Sequence, residues 1–235
     1  AAIGVGIYLS GGFYFWSLLG AFFVSSSVLS RFGAAQKARL RAKPVKGARR
    51  DHVQVGANGG VALLMAIAYA VTGWSLFMIA FAIALAASNA DTWASEIGVL
   101  SSRRPRNILT WKELEPGTSG GISFLGLIAS ALGAGFVALW FVAGYWITIG
   151  WDLIEIAGLL AAITGGGFLG SLVDSVLGAS IQAHYWDSIT GAITERRFTN
   201  GIRNTLARGI HGISNDVVNA LSGLVAAATM IAFLA

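Results

Sequence analysis

Cysteine is absent from the 235-residue sequence, and charged residues are scarce at 11%. Without thiols there is no disulfide framework, no thiolate metal site and no thiol nucleophile. An ordinary soluble domain carries roughly 25% charged residues, so this chain has under half the usual polar coat. With 55% apolar residues and a mean hydropathy of +0.70, it holds more apolar side chain than a soluble domain of its size can bury. A soluble enzyme, a nucleic-acid-binding domain (despite a pI of 9.9) and a disordered chain are thereby excluded. The opening residues have no basic flank and no cleavage site, so no secretory signal is expected. What remains is an all-α, polytopic transmembrane helical bundle.

Most of the chain also lacks basic charge. All sixteen Lys and Arg residues fall in three windows, from Arg31 to Arg50, Arg103 to Lys112 and Arg196 to Arg208. Between the windows lie apolar stretches long enough to cross roughly 30 Å of hydrocarbon. The expected spans cover about 12–30, 53–72, 75–98, 120–143, 153–180 and 208–234, and residues 1–9 read as the end of a further, truncated segment. The chain is thus one transmembrane domain over 1–235, with basic loops near 31–52, 99–119 and 181–207 on one side. The connections on the other side, 73–75 and 144–152, contain no Lys or Arg. By the positive-inside rule the basic side is cytoplasmic, and Trp74, Tyr145, Trp146 and Trp151 mark the opposite interface.

Ionisable side chains inside a membrane are costly unless paired or hydrated, which makes Asp91, Glu96, Asp174 and Asp216 functional candidates. On a helical wheel Ser88, Asn89, Asp91, Thr92, Ser95 and Glu96 share one arc of about 160° in the third span. In the fifth, Gly166, Gly170, Asp174 and Gly178 recur every four residues, so close helix approach is expected to hold Asp174 against a neighbour. Asn204, Arg208, His211, Asn215, Asn219 and Ser222 follow one another at i+3 or i+4, with Asp216 alongside, and read as one polar stripe of the last span. Asn58 lies near the inner start of the second. These groups gather in the inner half of the membrane, as in a cavity open to the cytoplasm and roofed by apolar helix.

Carboxylates and amides with no Cys point to a hard divalent cation, Mg²⁺ in preference to zinc. Beside them, Pro116-Gly117-Thr118-Ser119-Gly120-Gly121-Ile122-Ser123 opens the fourth span with free backbone amides, hydroxyls and a helix N-terminus, a setting for an anion. A plain turn with a helix cap is the competing reading of that run. Gly-Ile-Ser recurs at 121–123 and 212–214, each time after an Asp-bearing span, which suggests a parallel repeat of spans three–four and five–six. Carboxylates, a metal, a glycine-rich cradle and arginines are the parts that phosphoryl transfer uses.

The same residues resemble the integral membrane family that includes animal transmembrane protein 19 and plant phytyl-phosphate kinase. The matching pieces are Ser25-Ser26-Ser27 with Arg31-Phe32-Gly33, Arg49-Arg50-Asp51 through Asn58-Gly59-Gly60, and Ser88-Asn89-Ala90-Asp91-Thr92 through Ser95-Glu96-Ile97-Gly98. Gly117-Thr118-Ser119-Gly120-Gly121, Gly170-Ser171 with Asp174-Ser175, Asn204, and Asn215-Asp216 to Asn219 complete the match along nearly the whole chain. The resemblance implies transfer of a phosphate from a nucleoside triphosphate, CTP in the plant enzyme, to a prenyl monophosphate, giving a prenyl diphosphate.

The expectation is therefore a lipid (prenyl or phytyl) phosphate kinase working with Mg²⁺ at the cytoplasmic face, with membrane lipids around it and no nucleic-acid partner. Asp91, Glu96, Asp174 and Asp216 are expected to form the catalytic metal site, assisted by Asn89, Asn215 and Asn219. Arg49, Arg50, Asn58, Lys112, Gly117, Thr118, Ser119, Gly120, Gly121, Ser123, Arg203, Asn204, Arg208 and His211 are the expected nucleotide and phosphate contacts. The alternative is a cation-coupled transporter using the same carboxylates.

Overall fold

The computed structural model describes residues 1–35, 37, 52–149 and 152–234. Among the described residues, six helices are long and apolar enough to cross a membrane. They are α1 (Ala2–Arg31), α2 (His52–Thr72), α3 (Ser75–Gly98), α4 (Phe124–Ile149), α5 (Leu153–Ser180) and α6 (Asn215–Leu234).

Helix α3 stands at the centre and packs against all five others. Its middle turns are small-residue helix, with Ala80, Ala82, Ala84, Ala86, Ala87 and Ala90 buried together with Phe81, Ile83 and Leu85. A helix apolar on every side is a buried one. Inside a bilayer, where lipid tails are as apolar as leucine, helices associate through close packing rather than through escape from water. The neighbours supply matching small residues. A Cβ on Gly167 or Gly170 of α5 would sit 2.6 Å from the Ala86 Cβ or 2.5 Å from the Ala87 Cβ, and one on Gly133 of α4 would meet Trp93.

Helix α1 is two limbs rather than one rod. Gly12 breaks it with φ 65° and ψ −158°, a backbone that only glycine adopts readily. A Cβ on Gly4 would lie 3.8 Å from Trp16 Nε1 and 3.9 Å from Leu19, although a straight helix would separate residues 4 and 16 by about 18 Å. The first limb therefore folds back on the second, and Ile3 and Gly6 also pack on α2 through Gly59 and Leu63. This limb is the separate apolar segment expected over 1–9. Near the reversal, Phe15 stacks on Phe81 of α3 at 4.4 Å. Trp74 and Trp146 are exposed toward that end, and Trp151 lies outside the described residues.

The loops at the opposite end are more structured than plain connections. After α3, β1 (Arg106–Asn107) pairs antiparallel with β2 (Gly121–Ile122). After α5, β3 (His184–Asp187) runs between β4 (Ala192–Thr194) and β7 (Thr205–Arg208), and β5 (Phe198–Thr199) pairs with β6 (Ile202–Arg203). Both loops turn on the same device. Asn107 Oδ1 accepts the Leu109 and Thr110 amides, and Asp187 Oδ1 accepts those of Ile189 and Thr190. Each turn closes on a residue of positive φ, Trp111 (58°) or Gly191 (65°). Each loop ends in a capping serine, with the Gly126 amide on Ser123 Oγ and the Val217 amide on Ser214 Oγ. The Gly-Ile-Ser recurrence is thus a shared helix start, and the paired loops extend the suggested repeat.

Three span boundaries differ from expectation, one being the end of α4, which continues to Ile149 instead of 143 and takes up most of the connection expected over 144–152. Helix α4 starts at Phe124 instead of 120, because Gly120 has φ 82° and Gly121–Ile122 is strand. Helix α6 starts at Asn215 instead of 208, so the polar stripe from Asn204 to Ser222 is not one helix face. Arg208 ends β7, His211 lies in the turn that follows, and only Asn215, Asn219 and Ser222 share α6. The cause is local: Gly209 and Gly212 have φ of 80° and 95°, and a Cβ on Gly209 would collide with the Gln182 carbonyl.

The α3–α5 contact leaves no room for a side chain at Gly170. Gly170→Leu should destabilise the detergent-solubilised protein by about 1–3 kcal/mol or more through overpacking. Gly158→Leu, at an α5 position with nothing within 4 Å, should leave the melting temperature unchanged. The loop structure should also respond to acid. Desolvation acts to raise the Asp187 carboxyl, but hydrogen bonds from Ile189, Thr199 and Thr190 outweigh it and hold its pKa below the ordinary carboxylate value. That contribution is complete above the unfolded-state pKa of about 3.9 and is lost as pH falls below it. Amide-exchange protection at Ile189 and Thr190 should drop below about pH 4 and lose this pH dependence in Asp187→Asn.

Candidate functional site

Four helices bring polar side chains together inside the bundle. Ser222 of α6 donates to Asp174 Oδ2 of α5 at 3.2 Å. One turn earlier on α6, the Asn219 amide donates to Asn58 Oδ1 of α2 at 3.2 Å, and Ser88 of α3 donates to the Asn58 carbonyl at 3.1 Å. Asp91, on the same face of α3 as Ser88, lies within electrostatic reach of Asp174. Among the described residues no Lys or Arg forms an ion pair with Asp91 or Asp174. Asp174 is 8% exposed and Asp91 is half-buried, so the two negative charges lie near each other with little access to solvent at Asp174. Such a pair is costly by itself and is relieved by a bound cation. Asp216 stands in the first turn of α6 with its Oδ1 shielded from solvent, one turn before Asn219.

The glycine-rich loop docks directly beside this cluster. Gly178 lies one turn beyond Asp174 on α5, and a Cβ there would be 3.1 Å from the Gly120 amide nitrogen. Gly120, at φ 82°, is held so close to α5 that its own Cβ would be 2.6 Å from the Ala179 Cα. Ser119 accepts Gln182 Nε2 at 3.0 Å and donates its hydroxyl to Glu195. Arg208 Nη2 reaches the Ser119 carbonyl at 3.5 Å and His184 Nε2 at 3.0 Å. His184 Nδ1 contacts the Gln182 carbonyl at 3.0 Å, which fixes the tautomer: Nδ1 carries the proton and Nε2 accepts from Arg208. Gln182, His184 and Glu195 were absent from the expected site. The alternation Gln182-Ala183-His184-Tyr185 is a strand period of four residues, too short to stand out inside what reads as a basic loop, and Glu195 carries no such signal.

Other expected members stand apart. Asn89 is fully buried, but its Oδ1 accepts the hydroxyls of Ser25 and Ser26 at 3.0 Å each and its amide donates to the Gly133 carbonyl at 2.7 Å. It ties α1, α3 and α4 together and does not join the carboxylate pair. Glu96 forms an ion pair with Lys37 at 2.8 Å and accepts the Ser30 hydroxyl. The 160° polar arc of α3 is real but divided, with Asn89 and Glu96 toward α1 and Ser88 and Asp91 toward α2 and α5. Among the described residues, no three His, Asp or Glu side chains converge in a way that would hold a metal by themselves. Of the carboxylates expected together, Asp91 and Asp174 lie within electrostatic reach of each other, Asp216 stands one turn before Asn219, and Glu96 is paired with Lys37 away from them.

Within the phosphate set, Ser123 uses its hydroxyl to cap α4, and Asn204 braces the β5–β6 hairpin through Arg196 and Thr199. Lys112 and Arg203 are exposed on the loops, and exposed His211 packs edge-on against Tyr185. Arg49 and Arg50 lie outside the described residues. An apolar cavity of about 520 Å³ opens between the two α1 limbs and α2, lined by Gly4, Trp16, Leu19 and Phe22, with Gln54 and Asn58 at its polar end. Asn58 thus borders both the cavity and the carboxylate cluster.

Comparison with known proteins agrees with this architecture. The chain is 33% identical over 233 residues to the Protein PGR of Arabidopsis thaliana, covering 92% of this chain and 80% of the relative. A membrane protein of Methanocaldococcus jannaschii is 36% identical over 171 residues, 73% of this chain and 66% of its own. One from a Synechocystis strain is 27% identical over 210 residues, 85% of this chain and 76% of its own. No solved structure matches the chain. The family model described as integral membrane protein DUF92 matches residues 1–227, and the chain belongs to that family.

Proposed function

We propose that this membrane protein transfers a phosphoryl group from a nucleoside triphosphate, CTP by preference, to a prenyl (phytyl-like) monophosphate at the cytoplasmic face. The observation that carries this reading is the placement of the Ser119–Gly120 loop one helical turn from a carboxylate pair that has no counter-cation among the described residues. An anion cradle and a cation site side by side match the needs of phosphoryl transfer, where positioning and charge neutralisation supply most of the catalysis.

The donor set suits Mg²⁺. Magnesium is usually held by one or two carboxylates together with waters and substrate phosphates, not by an all-protein cage. Asp91 and Asp174 provide such a pair, with Asp216 and the Asn219 side chain at hand. When bound there, the ion would neutralise phosphate charge and orient the transferring group. Ser222 holds the Asp174 carboxylate through its hydroxyl, and the Asn219–Asn58 bond ties α6 to α2 beside the pair. Ser119, Arg208 and the Gly117, Ser119 and Gly120 amides hold the donor phosphates, while the Thr118 and Gly121 amides close the turn on the Glu115 and Thr118 carbonyls. An oxygen of the acceptor monophosphate attacks the γ-phosphorus, the bond to the β-phosphate oxygen breaks, and nucleoside diphosphate leaves. The acceptor is already anionic near pH 7, so no strong general base is required. Its apolar chain has a place in the cavity beside Asn58.

The transporter reading shares the buried carboxylates. Along α3 and α5 away from the carboxylates, Ile83, Leu85 and Ile163 are fully buried, and a packed apolar layer there favours the enzyme over a path to both sides.

Purified protein in detergent should convert phytyl or geranylgeranyl phosphate to the diphosphate in a nucleotide panel with Mg²⁺, most rapidly with CTP, and EDTA should abolish the reaction. Asp91→Asn and Asp174→Asn should each lower kcat by about 100-fold or more while keeping the wild-type melting temperature within a few degrees. Glu96→Gln, which leaves Lys37 buried without its carboxylate, should lower the melting temperature but keep kcat within about tenfold. No turnover with any nucleotide would sink the proposal.

A further inference from the structure

Glu195, on the turn between β4 and β5, belongs to no part of the phosphate or metal sets described so far. Its Oε1 accepts the Ser119 hydroxyl and lies 4.0 Å from His184 Nε2. The pocket that receives it has a built anion-binding character. Ser119 presents the hydroxyl, and Gln182 holds that oxygen from behind at 3.0 Å. Arg208 is locked in place by His184 on one side and the Ser119 carbonyl on the other. His184 and Gln182 are 3% and 2% exposed, so the groups that hold Arg208 and Ser119 are themselves fixed by burial. A hydroxyl, a guanidinium and a glycine turn form a receptor for an oxyanion, and charge-assisted bonds of this kind are the strong ones.

Glu195 is a poor permanent tenant of that pocket. Its side chain remains 44% exposed, so leaving for water costs it little. It also places a negative charge near Asp174, which works against both carboxylates.

We propose that the Glu195 carboxylate is a resident stand-in for phosphate, and that the terminal phosphate of the nucleotide displaces it from Ser119. This rests on the phosphate-binding reading of the Gly117–Gly121 loop. A phosphate presents three acceptor oxygens where the carboxylate presents two, so it engages Ser119 and Arg208 together. The β4–β5 turn then acts as a plug that leaves when the donor arrives. His184 is a positioning residue in this arrangement: it aims Arg208.

The test is calorimetric titration of CTP and of inorganic pyrophosphate into wild type, Glu195→Gln, Ser119→Ala and the double variant, in EDTA and in Mg²⁺. Removing the competing charge should tighten binding of both ligands about fivefold in Glu195→Gln, with or without Mg²⁺. Because the competition runs through the Ser119 hydroxyl, the gain should shrink toward nothing when Glu195→Gln is added to Ser119→Ala. Equal or weaker binding by Glu195→Gln overturns the proposal, and weaker binding only in Mg²⁺ reassigns Glu195 as a metal ligand. Binding by wild type without a gain in Glu195→Gln removes this inference alone. If no variant binds either ligand, the phosphate reading of the loop fails and this inference falls with it.

Discussion

The arrangement depends on how closely α5 approaches α3. In a bilayer the apolar surfaces of these helices have no water to escape, so only short-range packing holds them. Alanines on α3 and glycines at 166, 167 and 170 on α5 let the two backbones meet almost without side chains between them. That approach sets the distance between Asp91 and Asp174, one on each helix. Further along α5 the same stripe reaches Gly178 and admits the Gly120 turn. One packing device therefore positions both the carboxylates and the loop beside them.

The polar residues of α3 serve two purposes on two faces. Asn89 and Glu96 are spent on α1, where a buried amide and a buried ion pair fix the orientation of the central helix. Ser88 and Asp91 are left for the interior between α2, α5 and α6. A central helix can divide its arc this way because it has neighbours all round. Burial of Asn89 with every polar group satisfied makes the scaffold rigid, while the adjacent pair Asp91–Asp174 keeps a charge imbalance that a ligand can relieve.

The helices were legible in the sequence because hydropathy over about 20 residues is a strong signal. The hub role of α3 was not, since a run of alanines says nothing about which helices it meets. The loop strands, two to four residues long, are too short for alternation to stand out beside a basic composition. The false stripe from Asn204 to Ser222 shows the hazard of reading i+3 and i+4 spacing across glycines: Gly209 and Gly212 turn the chain before any helix begins. Within the site, Asp91, Asp174, Asn58, Asn219, Ser119 and Arg208 were recognisable as polar groups in costly or basic settings. Glu195 and His184 were not, because Glu195 matters through Ser119 of the other loop and His184 through Arg208 across the β3–β7 pairing.

The claim at the centre of the account is that Asp91 and Asp174 together hold a divalent cation. Manganese binding followed by electron paramagnetic resonance, in wild type, Asp91→Asn, Asp174→Asn and Glu96→Gln, addresses it most directly. The account predicts that either Asp substitution abolishes tight Mn²⁺ binding and that Glu96→Gln preserves it. Undiminished binding in both Asp variants, or loss only in Glu96→Gln, would contradict it.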